Sequence, residues 1–298
     1  FSNKKQIKKL INQLKQISIN KNAFISVDQE GGRVQRFDNE DFYKYASQEE
    51  VAKIFLKKKK ETERLPYFLA YLLGIELKNI GIDINFSPVT DIYHDYGDKI
   101  IGDRAFNSNP YLVKNLVSEY CKGLKDSGLF PVPKHFPGHG RSITDTHKEV
   151  SIIDNNLKEL NKTDLYPFRV LKNEYLVMIA HIIYSSIDSS VATYSRKIIN
   201  EILRKSFNFK GLILTDDISM KALKGNFKNK IKKSYYAGCD VMLYCGGILD
   251  EMKEIYNYVK PIKKKYFNYF NSGLSQINRK NLDVKNIEKI LLKYKLIK

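Results

Sequence analysis

The chain has 298 residues, enough for one large domain or two modest ones around a sizeable core. At 43% hydrophobic and 28% charged, its composition excludes a disordered or fibrous protein. A net charge of +18 invites a nucleic-acid or anionic-surface reading. The excess, however, is lysine scattered through an Asn-, Ile- and Tyr-rich chain, and the runs at 57–60 and 263–265 read as solvated helix faces. No nucleic-acid partner is therefore expected. Three cysteines, Cys121, Cys239 and Cys245, are too few and too odd in number for a disulfide framework. They favour a reducing compartment, and a cytoplasmic location is the expectation. The most apolar stretches, 68–77 and 175–184, fall well short of the roughly 20 residues that a membrane span needs. No secretory signal opens the chain, which starts at Phe1 directly in a helical pattern.

In chain order, short apolar runs recur at 23–28, 82–89, 129–134, 176–181, 212–216 and 240–245. Each lacks polar alternation, as expected of a strand buried on both faces. Between them, segments 7–17, 62–79, 111–127, 195–206, 226–237, 249–269 and 284–294 carry apolar residues at helical spacing. Helices alternating with buried strands require crossover connections and a parallel sheet. Six such runs without a compositional break predict an α/β fold, a closed (β/α)8 barrel of TIM type. Residues 1–298 are expected to form one domain, its first strand truncated or missing before Phe1 and one other too degenerate to place.

The polar residues collect where strands end. The first run finishes at Asp28, followed by Glu30, Gly31, Gly32 and Arg36; the second finishes at Asp91, with Asp103 and Arg104 in the next loop. The third ends in Lys134-His135-Phe136-Pro137-Gly138-His139-Gly140, with Asp145-Thr146-His147 beyond; the fourth ends in His181 and the fifth in Asp216-Asp217. All five histidines, His94 included, follow strands in this way. A lone Asp at a strand end is by default a helix cap, and Gly pairs are by default turn residues. Ionisable groups at five strand ends point instead to one shared mouth, the active-site face of a parallel barrel. The His135/His139 spacing would suit a metal on a helix, but Pro137, Gly138 and Gly140 forbid one, so neither metal nor cofactor is expected.

The blocks KHFPGHG (134–140) and DTH (145–147) resemble the signature of glycoside hydrolase family 3, more narrowly its NagZ-type β-N-acetylhexosaminidase branch. DQEGGRVQRF (28–37), NFSPVTD (85–91), DRAF (103–106), AHIIY (180–184), ATYS (192–195) and TDDISM (215–220) extend the likeness over most of the chain. Ser185 and Val191 stand where the branch often carries proline. The resemblance implies Asp216 as nucleophile, His147 as general acid/base and Asp145 as its carboxylate partner. It also implies Asp28, Arg36, Arg104, Lys134, His135, His181 and Met220 as residues of the sugar site. Lys134, Arg36 and Arg104 are expected to keep Asp216 ionised through their positive field. If Asp216, which the family match favours, faces the barrel axis, strand alternation sets Asp217 toward the surrounding shell.

The implied activity is retaining hydrolysis of terminal β-linked N-acetylglucosamine, with N-acetylglucosamine-containing saccharides or muropeptides from peptidoglycan as substrates. A monomer is expected. A histidine acid/base repels an incoming phosphate less than a carboxylate does, so a phosphorylase on the same scaffold is the first alternative. A basic nucleic-acid or cell-wall binding protein on an inactive barrel is the second.

Overall fold

Parallel pairing of the apolar runs organises the chain. In the structure, a computed structural model that describes residues 1–19, 23–57, 62–144 and 149–298, strand Ser26–Val27 pairs in parallel with Ile84–Asn85, which pairs with Phe130–Pro131. Strand Leu176–Ile179 pairs in parallel with Leu212–Asp217, which pairs with Val241–Leu243. Parallel bridges Val89–Lys134 and Phe136–Ile179 connect the two sets beyond the regular strands. The protein is thus α/β with parallel sheets, and all six predicted runs are strands. Their C-terminal ends share one edge, as parallel strands must.

Local chemistry explains the two helices that pack most closely. Leu65–Ile80 begins with Pro66 in its first turn and stops at Gly81, whose φ of 99° accepts the left-handed cap. Leu69, Leu73 and Leu77 are fully buried with Tyr67 and Tyr71, as expected of a helix apolar on every face. Pro110–Ser127 is capped by Asn109, whose side chain accepts from the N–H groups of Tyr111 and Leu112. The two backbones approach at Gly123, where a Cβ would lie 2.3 Å from the Tyr67 carbonyl oxygen.

Some elements differ from expectation. The predicted helix over 249–269 is two helices, Leu249–Tyr256 and Lys264–Gln276. Pro261 lies between them, lacks a backbone N–H and disfavours helix in the residue before it. Helix Gln48–Lys57 and the parallel pair Ser151–Ile153 with Ile182–Tyr184 lie outside the segments expected from the sequence. The segment from Lys197 to Ser206 is helical but wound as a π-helix. Among the described residues no helix is long and apolar enough to cross a membrane.

Gly123→Ala is expected to force the two helices apart at a cost of about 2 kcal/mol. Calorimetry should show a melting midpoint lower by roughly 5 °C; an unchanged midpoint would refute the close-approach argument.

Candidate active site

The shared edge of strand ends encloses a cavity of about 320 Å³, near the lower end of the roughly 300–1,000 Å³ typical of ligand sites. Asp28, Glu30, Arg36, Arg104, Lys134, His135 and Asp216 line it, with Met178, Leu243 and Cys245 as less polar wall. Residues from five separate strand ends therefore meet at one place.

Glu30, to which the sequence alone assigns no role, holds the polar wall together. It lies on a short hairpin, Gln29–Gly31 against Val34–Gln35, whose turn needs positive φ at Gly31 (96°) and Gly32 (57°). The Glu30 carboxylate takes a bidentate grip from Arg104, at 2.8 Å from Nε and 2.9 Å from Nη2, and a 2.6 Å contact from Lys134 Nζ. Burial opposes this carboxylate, but Lys134 and Arg104 outweigh it and hold its pKa at about 2. Lys134 Nζ also donates to Asp28 Oδ1 at 2.7 Å, and Arg36 Nη2 stands 4.0 Å from Asp28 Oδ2 at the exposed rim. Two acids and two bases thus form a nearly neutral buried cluster. Arg104 also donates from Nη1 to the Ile100 carbonyl, so its fork is largely spent on protein.

The third strand end is organised by Asp91, which is fully buried. Its Oδ2 lies 2.7 Å from His135 Nδ1, and its Oδ1 accepts the backbone N–H groups of His135 and His139. In a neutral ring this places the His135 proton on Nδ1 and leaves Nε2 for the cavity. His139 is buried; burial, then the neighbouring His135, pushes its pKa down to about 4.

Asp216 is half-buried at the end of Leu212–Asp217, and its Oδ1 accepts from the Asp217 N–H at 2.8 Å. Burial opposes its ionisation, yet His135, His181, that N–H and Lys134 outweigh it, and the carboxyl sits below the usual aspartate range. Asp217 turns to the loops: its Oδ1 accepts from Ser219 N at 2.9 Å and Cys245 N at 3.1 Å. Both aspartates nevertheless line the cavity.

The other sequence-derived residues fall elsewhere. His181 is fully buried with Nδ1 against Thr193 Oγ1 and Nε2 against the Asp217 carbonyl, outside the cavity lining. Met220 is buried and outside that lining too. His94 pairs with Asp164 at 3.3 Å, and Arg141 Nε donates to the same carboxylate at 2.7 Å. Asp145 and His147 lie outside the described residues. No group of three or more His, Cys, Asp or Glu able to hold a metal ion occurs among the described residues.

The depressed pKa of Glu30 makes its contribution to stability complete above the ordinary carboxylate pKa and lost as pH falls through about 2. Glu30→Gln leaves Lys134 and Arg104 partly unpaired and is expected to cost about 3–5 kcal/mol at pH 7. Urea midpoints measured from pH 7 to pH 2 should converge for the two proteins at the acid end; a constant gap would deny that ionised Glu30 is the cause.

The family model for the glycosyl hydrolase family 3 N-terminal domain matches residues 1–266. A beta-hexosaminidase of Hydrogenovibrio crunogenus is 39% identical over 226 residues, covering 74% of this chain and 62% of that protein. A beta-hexosaminidase of Haemophilus influenzae is 36% identical over 266 residues, 85% of this chain and 74% of its own length. The structure of NagZ from Neisseria gonorrhoeae in complex with N-trifluoroacetyl-D-glucosamine superposes with a TM-score of 0.84 at 30% identity, over 99% of this chain and 85% of that one. With the family model covering most of its length and its strand-end residues gathered in one cavity, the chain belongs to glycosyl hydrolase family 3.

Proposed function

We propose that the protein is a retaining β-N-acetylhexosaminidase that removes terminal, non-reducing β-linked N-acetylglucosamine, with peptidoglycan fragments as its substrates in cell-wall recycling. Its parallel strands would belong to a (β/α)8 barrel, and it would act as a cytoplasmic monomer without a cofactor. The observation that carries this reading is an ionised Asp216 on the wall of a cavity sized for one sugar ring, facing Lys134 and His135. The names of the curated relatives and of the gonococcal complex support the N-acetyl sugar.

In the first step an Asp216 carboxylate oxygen attacks C1 of the sugar. The glycosidic C–O bond breaks, and His147 gives a proton to the departing oxygen. In the second, His147 takes a proton from water, the water oxygen attacks C1, and the Asp216 ester is released. Asp145 would hold the other His147 nitrogen and fix its tautomer. Proton assistance is worth roughly 10²–10⁴ in rate, or about 3–5 kcal/mol, against total barrier reductions of about 8–23 kcal/mol. The covalent route through Asp216 and contacts that tighten in the transition state must supply the remainder. Asp28, with one oxygen on Lys134 and the other toward Arg36, is suited to pair with adjacent sugar hydroxyls.

Asp216→Asn should abolish turnover of a chromogenic β-N-acetylglucosaminide, and a 2-fluoro or 5-fluoro glycosyl probe should label Asp216. A label on Asp217 would overturn the assignment. His147→Ala should slow poor-leaving-group substrates far more than good ones; equal losses would remove it from the acid role. Sugar 1-phosphate formed in phosphate buffer would convert the reading to a phosphorylase.

A further inference from the structure

Behind the cavity wall, contacts of His181 with Thr193 and Asp217 tie this ring to the strand end that carries Asp216. The Asp217 carbonyl oxygen accepts from Met220 N–H at 3.1 Å and faces His181 Nε2 at 3.1 Å. A carbonyl has no proton to give, so this contact is a hydrogen bond when Nε2 carries one. On the other side of the ring, Nδ1 lies 2.6 Å from Thr193 Oγ1, which is itself 3.0 Å from the Ala180 carbonyl oxygen. The hydroxyl has a single proton. If it goes to Ala180, Nδ1 must carry a proton: the ring is then either a full imidazolium, in a site where His181, Thr193 and Ala180 are all 0% exposed, or neutral with a bare Nε2 against the Asp217 carbonyl. Burial penalises that charge and holds the His181 pKa down against the pull of Asp216. With the Thr193 proton on Nδ1, the ring is neutral, and its Nε2–H holds the Asp217 carbonyl.

This ring grips the residue next to the nucleophile. Asp217 is clamped twice, by its side chain to Ser219 and Cys245 and by its carbonyl to His181. Between those anchors, its N–H donates to Asp216 Oδ1 at 2.8 Å. We propose that His181, with its tautomer set by Thr193, is a positioning residue that fixes Asp217 so that the Asp217 N–H faces the nucleophile. His181 acts through the peptide chain and makes no contact with the sugar. The inference rests on Asp216 as nucleophile, as proposed above.

Thr193→Val keeps the shape and removes the proton that selects the tautomer. The Nδ1–H form then competes, and it turns a bare nitrogen toward the Asp217 carbonyl. The groups facing Asp216, namely Lys134, Arg104, His135, His139, His181 and Cys245, are all retained in this variant. With its N–H contact loosened, Asp216 should lose ionisation earlier, and the acid limb of kcat/KM should move up by about one pH unit. The kcat should fall roughly tenfold with KM within about twofold, the pattern of a lost transition-state contact. Thr193→Ser should restore both. A merely structural role for Thr193 would lower stability without moving the acid limb, and that result overturns the proposal.

The wild-type protein supplies a test that needs no folded variant. Nitrogen-15 NMR of histidine-labelled protein at pH 7 should show His181 protonated at Nε2 and bare at Nδ1. The opposite tautomer, or a doubly protonated ring, refutes the inference. Fluoro-sugar labelling of the same wild-type sample separates the two claims. A label away from Asp216 removes the nucleophile reading, whereas a label on Asp216 with an unshifted Thr193→Val profile removes only the role of His181.

Discussion

The contact on which the site depends is the buried carboxylate of Glu30 between Lys134 and Arg104. These residues come from three distant parts of the chain, and each would be costly to bury alone. Placed together they satisfy one another with contacts of 2.6–2.9 Å, and Asp28 takes a further bond from Lys134. The cluster fixes the hairpin, the loop holding Arg104 and the end of the third parallel run against each other. Removing one partner strands a buried charge, a larger loss than the net worth of the pair. A ligand arriving in the cavity meets a wall already set, so little ordering remains to be done on binding.

The same cluster changes how Asp216, the proposed nucleophile, is kept ionised. Reading residues alone, Lys134, Arg36 and Arg104 supply three positive charges near Asp216. In the fold, Glu30 and Asp28 neutralise most of that field, and Arg36 stands exposed at the rim. His135 leads the stabilisation of Asp216, His181 adds to it only where its ring is charged, and the Asp217 N–H and Lys134 follow. The lysine serves Asp28 and Glu30 first. This division leaves Asp28 held by Lys134 while Asp216 answers to different neighbours.

The parallel strands were legible because a two-sided burial leaves an uninterrupted apolar run, and their polar ends because ionisable residues stand out after such runs. Less legible was anything depending on partners far away in sequence. Glu30 sits two residues from Asp28 and looks like hairpin polarity until Arg104 and Lys134 are brought to it. His94 follows a strand and looks like a mouth residue, yet Asp164 draws it into a cluster with Arg141 that ties the loop after Gly140 to residues 159–164. The break at Pro261 was readable by its missing N–H, but strong periodicity on both sides masked it. The Ser151–Ile153 strand is short and carries an exposed Ile152, so its alternation could not be told from loop.

The engaged histidines also bear on where the proton for the leaving oxygen comes from. A donor at neutral pH needs a ring that can be charged and is free to reach the substrate. His139 is held near 4 by burial and by His135. His181 is buried, and its two nitrogens are committed to Thr193 and Asp217. His94 faces Asp164 outside the cavity lining, and His135 uses Nδ1 on Asp91 while its ring already serves Asp216. Each of these four rings has a different assignment set by its neighbours. The acid/base step proposed above accordingly rests on His147, the residue to which the family resemblance gives that role, with Asp145 two positions before it as the residue type that would orient it.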